Sequence, residues 1–254
     1  MNLDISGTCA VMISCLSESW LNSSHFSSTY QLPNYNFIRK DRDVGSRGGG
    51  LAIYIRNNLI FENLDVADCR ETEMLCIKIK CIVSEFCLML VYNPPSVASS
   101  IVDNFEALFS KSDVFLKKPT VVVGDFNIDW STHSTIKNNF DTLMSLHHYN
   151  QLVTEYTRCY KDSKTIIDLL FTNSPTLISD QSLVQCDISD LFEVVCNIQI
   201  KFQKRHFHMY ERETSEKLML ETSLNRPVTW TFIKLKIFHV PIMQPTFWRK
   251  KLQP

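Results

Sequence analysis

Apolar residues along this chain fall into short blocks of two different periods. Ala10 to Leu16 (AVMISCL) reads as a buried strand running straight into Ser17, Glu18, Ser19 and Trp20. LAIYIRN (51–57) reads as a second strand. MLCIKIK (74–80) ends in alternation, Ile77 and Ile79 against Lys78 and Lys80, the mark of a half-exposed strand. FCLMLVY (86–92) is apolar throughout, which predicts a strand buried on both faces. TVVV (120–123), IIDLLFT (166–172) and FEVVCNIQI (192–200) predict three more strands. Between them the period changes to that of a helix. Ile101, Phe105, Leu108, Phe109, Phe115 and Leu116 fall near one face of a helix over 101–116, which Pro119 stops. A second helix is expected over Ile136 to Leu146. Strands and helices interleave, with strands in the majority. The expected class is α/β (α+β), a sandwich of two sheets flanked by helices. After Lys201 the pattern decays. Residues 211–222 predict an amphipathic helix, and 203–254 are expected to be a basic tail, partly helical or disordered, after a domain at 1–202.

Composition narrows the picture in three ways. Glycine is scarce: 6 in 254 residues, where average usage of about 7% gives roughly 18. Four of the six (Gly45, Gly48, Gly49, Gly50) lie in one short stretch, and Gly124 follows TVVV, so the glycines mark two places. The net charge of −1 hides a split. Residues 1–200 carry 15 Lys and Arg against 23 Asp and Glu, net −8; residues 201–254 carry 11 against 4, net +7. A basic end on an acidic body suits salt-dependent contact with nucleic acid. Nine cysteines with no Cys-x-x-Cys spacing, most inside apolar runs, suit buried free thiols in a reducing compartment rather than a zinc site. No apolar run approaches the roughly 18 residues of a membrane span. The apolar stretch from Cys9 follows Asp4 with no Lys or Arg before it, a poor secretory leader. The expected setting is intracellular, cytoplasmic or nuclear, with no membrane association.

Polar side chains recur at the ends of the strand blocks. Glu18 follows the first, Tyr92 and Asn93 the fourth, and Asp125 and Asn127 follow TVVV; Asp168 lies early in IIDLLFT, and Asp190 just before FEVVCNI. A single aspartate after a strand is usually a turn residue. Several together, presented by a rigid scaffold, can hold a hard cation such as Mg²⁺ through oxygen ligands. A bound metal acidifies a water and offsets charge developing on a phosphate. Gly124 allows a tight turn that presents Asp125 and Asn127 at the mouth of a sheet.

In order, the motifs are SESWL (17–21), SRGGGLAIYIRN (46–57), LVYNPP (90–95), VVVGDFNID (121–129), TIIDLLFTN (165–173) and ISDLFEV (188–194). This series resembles the endonuclease/exonuclease/phosphatase superfamily, with its DNase I-like fold. Within it, the series is most similar to the apurinic-endonuclease-like domain of non-LTR (LINE-type) retrotransposons. The resemblance covers about residues 10–200. It implies a four-layer sandwich of two mixed sheets flanked by helices. It implies a phosphodiesterase that uses Mg²⁺ or Mn²⁺, needs no small-molecule cofactor and nicks DNA through its phosphate backbone. By position, Glu18 and Asp190 match the family's metal-binding acids. Tyr92 matches the tyrosine near the scissile phosphate, and Asp125 the aspartate that orients or deprotonates the attacking water. Asn127 matches the asparagine that contacts the phosphate, and Asp168 the aspartate that braces the catalytic histidine.

Two departures from the family pattern bear on activity. Leu191 stands where the family has that histidine, and Glu193 stands where proline is usual. Leucine can neither donate a hydrogen bond nor carry charge. Removing one such donor typically costs about 10²–10³-fold in rate. The next histidines are His206 and His208. The family's opening strand, with its asparagine, and the helix after it are not visible before Glu18. Their absence would leave a neighbouring strand with unpaired backbone groups. Two functions follow: a metal-dependent endonuclease domain of reduced activity, or a catalytically inactive retrotransposon relic or nucleic-acid-binding module. YNPP and RGGG favour these over a phospholipid or inositol phosphate substrate.

Overall fold

The strand blocks assemble into two six-stranded sheets. A computed structural model describes residues 11–42, 48–66, 72–81, 84–185, 192–202, 207–211, 217–221 and 229–239. The first sheet contains β1 (Val11–Ser17), β2 (Tyr35–Lys40), β3 (Leu51–Arg56), β12 (Ile178–Gln185), β13 (Phe192–Phe202) and β16 (Thr229–His239). Its spatial order is β12-β13-β16-β1-β3-β2. The second contains β4 (Ile60–Leu64), β5 (Glu73–Lys80), β6 (Glu85–Tyr92), β7 (Thr120–Asp125), β8 (Asn150–Gln151) and β11 (Asp168–Thr172), in the order β4-β5-β6-β7-β11-β8. Among the described residues there are also two two-stranded sheets: β9 (Arg158–Tyr160) with β10 (Ser163–Thr165), and β14 (Phe207–Glu211) with β15 (Lys217–Glu221).

Helices α1 (Ser27–Tyr30), α2 (Ile101–Lys111), α3 (Val114–Lys117) and α4 (Thr135–Leu146) lie between strands. The apolar stripe over 101–116 is divided between α2 and α3, with the break at Ser112 and Asp113. α2 and α3 carry the chain from β6 to β7, which run parallel; parallel strands need such a crossover. Phe105 and Phe140 meet edge to face at 5.0 Å, joining α2 to α4, and Phe140 reaches Phe126 and Phe171.

One large core joins the inward faces of both sheets to α2 and α4. Alternation in β1 and β3 gives the first sheet two apolar faces. Ile13, Cys15, Ile53 and Ile55 enter that core, whereas Leu16, Ala52 and Tyr54 form a second cluster with Leu21, Leu32 and Tyr35. The layer over this outer face is therefore a loop and the single turn α1 among the described residues. β6 and β7 are buried from Phe86 to Tyr92 and from Thr120 to Asp125. That matches their unbroken apolar runs. β2, β4, β8, β9, β10 and β12 have weaker periods, because edge strands and short hairpins bury too little to impose one. Among the described residues, no helix is long and apolar enough to cross a membrane.

The C-terminal stretch differs from its expectation. Where the pattern predicts a helix over 211–222, Lys217–Glu221 is a strand paired with Phe207–Glu211. Where a tail is expected, β16 is a central strand of the first sheet. It runs parallel to β1, with Cys15 opposite Ile237, and antiparallel to β13, with Cys196 opposite Leu235. The expected vacancy beside a central strand is thus filled: β1 is paired on one side by β3 and on the other by β16. Extended backbone can satisfy a neighbour from any point along the chain, because ladder bonds carry no memory of sequence order.

A proline at Leu235 removes a ladder donor from a strand paired on both edges. Urea unfolding of Leu235→Pro is expected to show a loss of about 2–4 kcal/mol. Unchanged stability would mean that β16 is not integral to the sheet.

Candidate active site

The polar strand ends meet where the two sheets face each other. Register places Tyr92 opposite Asp125 across β6 and β7, and Asp125 opposite Asp168 across β7 and β11. Glu73, at the start of β5, lies opposite Tyr92 on the other side. Four adjacent strands therefore carry one row of Glu73, Tyr92, Asp125 and Asp168. Glu18 reaches this row from the first sheet, where its carboxylate accepts a hydrogen bond from the Tyr92 hydroxyl. Burial first, and then that hydrogen bond, push the Tyr92 hydroxyl well above the usual tyrosine range. It stays a neutral donor throughout the physiological range.

Asp125 is fully buried and orients its neighbour closely. Its Oδ1 accepts the Asn127 backbone N–H at 2.9 Å and its Oδ2 accepts Asn127 Nδ2 at 3.1 Å. Nδ2 also donates to the Asn93 carbonyl at 3.0 Å. Both amide hydrogens of Asn127 are engaged within the protein, so in this arrangement the side chain holds Asp125 rather than reaching outward. Asn93, buried, donates to the Phe126 carbonyl at 3.0 Å and accepts from Thr72 at 2.9 Å. The Asp168 backbone N–H donates to Thr157 Oγ1 at 3.1 Å, joining the start of β11 to the base of the β9–β10 hairpin. Asp190 and Leu191 lie outside the described residues.

The backbone around Glu18 is strained. Glu18 and Trp20 both have φ of 56°, the left-handed region that non-glycine residues rarely adopt. Ser19 N–H donates to Gly50 O and Trp20 N–H to Gly49 O, each at 2.9 Å, so the β1–β3 ladder continues past the strand ends onto the glycines. A β-carbon on Gly48 would lie 3.4 Å from Glu18 Oε1 and 3.9 Å from the Tyr92 hydroxyl. Gly48, Gly49 and Gly50 of the cluster read from the sequence thus form the wall beside Glu18.

Glu73 and its partner Arg42 escaped the sequence reading. Glu73 precedes an apolar strand as Asp190 does, and that signal alone could have found it. Its carboxyl is raised, chiefly by burial, although the Gly50 N–H and Arg42 pull it down.

Among the described residues no group of three or more His, Cys, Asp and Glu side chains gathers into a metal site. Glu18, Asp125 and Asn127 offer oxygen donors, the chemistry that suits Mg²⁺ or Mn²⁺ and not a soft metal.

Two facing mixed sheets with few helices make a DNase I-like fold. Residues 86–190 match the family described as endonuclease–reverse transcriptase. The fold is similar to the endonuclease domain of TRAS1, a telomere-specific non-LTR retrotransposon, at TM-score 0.57 and 15% identity, covering 74% of this chain and 85% of that one. It is also similar to the AP endonuclease LMAP from Leishmania major, at TM-score 0.58 and 12% identity, covering 71% and 76%. D. rerio TDP2 complexed with a single-strand DNA product aligns at TM-score 0.52 and 14% identity, covering 72% and 84%. No curated protein sequence matches. The resemblance drawn from the ordered motifs therefore stands at the level of fold and family profile.

Gly124 is the most constrained position near Asp125. Its φ is 140°, and a β-carbon there would lie 1.9 Å from the Val91 carbonyl oxygen. Gly124→Ala is expected to cost about 3 kcal/mol or more in urea unfolding. A smaller loss would show that β6 and β7 can separate without harm.

Proposed function

We propose that this chain is a divalent-metal-dependent nuclease domain of the retrotransposon endonuclease type. In this reading it cleaves phosphodiester bonds in DNA, at a rate lowered by Leu191. The observation that carries it is the register of Tyr92, Asp125 and Asp168 on three adjacent strands, with Glu18 bonded to Tyr92. Glu18, together with Asp190, would hold Mg²⁺ or Mn²⁺, which supplies charge to offset that developing on the phosphate. Asp125, fixed by two hydrogen bonds from Asn127, is the base for an attacking water. Its orientation is set before substrate arrives, as effective proton transfer requires. Asn127 keeps that orientation, and Tyr92 gives its one hydroxyl proton to Glu18, which it holds beside Asp125. Asp168 in this family braces a histidine, a role that leucine at position 191 leaves unfilled.

DNA as the substrate is supported from a second direction. Tyr156, just before β9, and Tyr160, at the end of β9, are 46% and 54% exposed. Lys164 and Lys161 sit over their rings at 5.8 and 5.3 Å. Exposed rings interleaved with cations suit stacking on bases beside a phosphate backbone. TDP2, of similar fold, has been captured with a single-strand DNA product. The second reading is a binding module without turnover, and Leu191 is the observation that favours it.

Nicking of supercoiled plasmid in Mg²⁺ decides between them. Weak nicking is expected, lost in Asp125→Ala and on chelation of the metal. Leu191→His is expected to raise the rate about 10²–10³-fold. If neither the native chain nor Leu191→His nicks above the Asp125→Ala background, the nuclease reading fails.

A further inference from the structure

Glu18 is held by two means of different kind. Tyr92 bonds its carboxylate. Its backbone, left-handed at Glu18 and again at Trp20, depends on the glycine turn opposite, because Ser19 and Trp20 donate their N–H groups to Gly50 O and Gly49 O. Three successive glycines with φ of 74°, 79° and 82° have no stiffness of their own. Something outside the turn must fix it.

Glu73 and Arg42 do so from opposite ends. Glu73 Oε2 accepts the Gly50 N–H at 2.6 Å, and its Oε1 lies 3.0 Å from Arg42 Nε. Arg42 Nη1 donates to the Gly48 carbonyl at 3.3 Å, and its backbone N–H to the Leu21 carbonyl at 3.4 Å. The pair thus grips the turn at Gly48 and Gly50 and grips the Glu18 loop at Leu21. The fit leaves no spare room: a β-carbon on Gly49 would lie 2.5 Å from Glu73 Oε1 and 2.7 Å from Arg42 Cδ. Glu73 is placed for this by register, opposite Tyr92. The strand that holds the Glu18 carboxylate and the strand that holds its backbone are therefore neighbours in one ladder.

We propose that Glu73, with Arg42, is a positioning residue that clamps the Gly48–Gly50 turn and thereby sets the backbone of Glu18 for metal binding. The metal-binding part rests on the nuclease reading above; the clamp does not. Groups that orient a metal ligand typically affect affinity by about 10–100-fold when removed. Glutamine at position 73 keeps an acceptor for the Gly50 N–H and loses the ion pair, so it separates the two contacts.

Two measurements on the full chain test this: amide hydrogen exchange, and Mn²⁺ binding followed by electron paramagnetic resonance. In Glu73→Ala, exchange is expected to rise about tenfold or more at Gly50, Ser19 and Trp20, with β6 and β7 unchanged. Mn²⁺ affinity is expected to fall by about tenfold or more, with Glu73→Gln lying between Glu73→Ala and the native chain. Exchange that is unaltered in Glu73→Ala, or that rises equally across the whole domain, overturns the clamp. Local loosening with native Mn²⁺ affinity overturns its link to Glu18. A native chain that binds no Mn²⁺ defeats the metal-dependent reading instead. The exchange at Gly50 then decides the clamp by itself, faster in Glu73→Ala in its favour and equal against it.

Discussion

β6 and β7 run side by side and parallel through the middle of the second sheet. Gly124 lets their backbones close to a separation that no β-carbon would permit. That approach fixes the register of Val91 against Gly124 and, one residue on, of Tyr92 against Asp125. The pairing of β11 on one side and β5 on the other then extends the row to Asp168 and Glu73. A slip of one residue between any two of these strands would turn a side chain to the opposite face and break the row. The site is therefore a property of ladder register, and the ladder is held by two strands buried along almost their whole length.

The first sheet contributes Glu18, which has to be brought to the row against an unfavourable backbone. Left-handed φ at Glu18 and Trp20 costs about 1–3 kcal/mol per residue and persists only where surrounding contacts determine it. Those contacts are the glycine turn, its clamp by Glu73 and Arg42, and the Tyr92 hydroxyl. β1 itself is secured by β3 and by β16, a strand drawn from the far end of the described chain. The sheet does not require its central strands to come from any particular stretch of sequence. It requires only that every buried N–H and carbonyl find a partner.

Much of this was legible beforehand. β1, β3, β5, β6, β7, β11 and β13, together with α2 and α4, coincide with runs whose period is strong because each is buried on at least one face. Ordered motifs at the strand ends named the fold. The strands that escaped notice, such as β12 with its sequence ISDQSLVQ, are partly exposed and need no apolar rhythm. β16 escaped for a different reason. Its alternation is present in TWTFIKLKIFH, yet nothing local reveals which distant strands it will join. Glu73 escaped because a carboxylate before a strand has an ordinary turn reading, and its two partners lie 23 and 31 positions away in the chain.

The sequence by itself determined the strands and helices whose burial imposes a strong period, where glycine frees the backbone, and which acids stand at the ends of those strands. Those properties depend on residues a few positions apart. Tertiary structure alone decided that Tyr92 bonds Glu18, that Asn127 directs both amide hydrogens inward, and that Glu73 joins the row. It alone decided that Thr229–His239 completes the first sheet. These contacts join residues that only strand register and sheet packing bring together, and hydrogen bonds act over about 3 Å of space, whatever the distance along the chain.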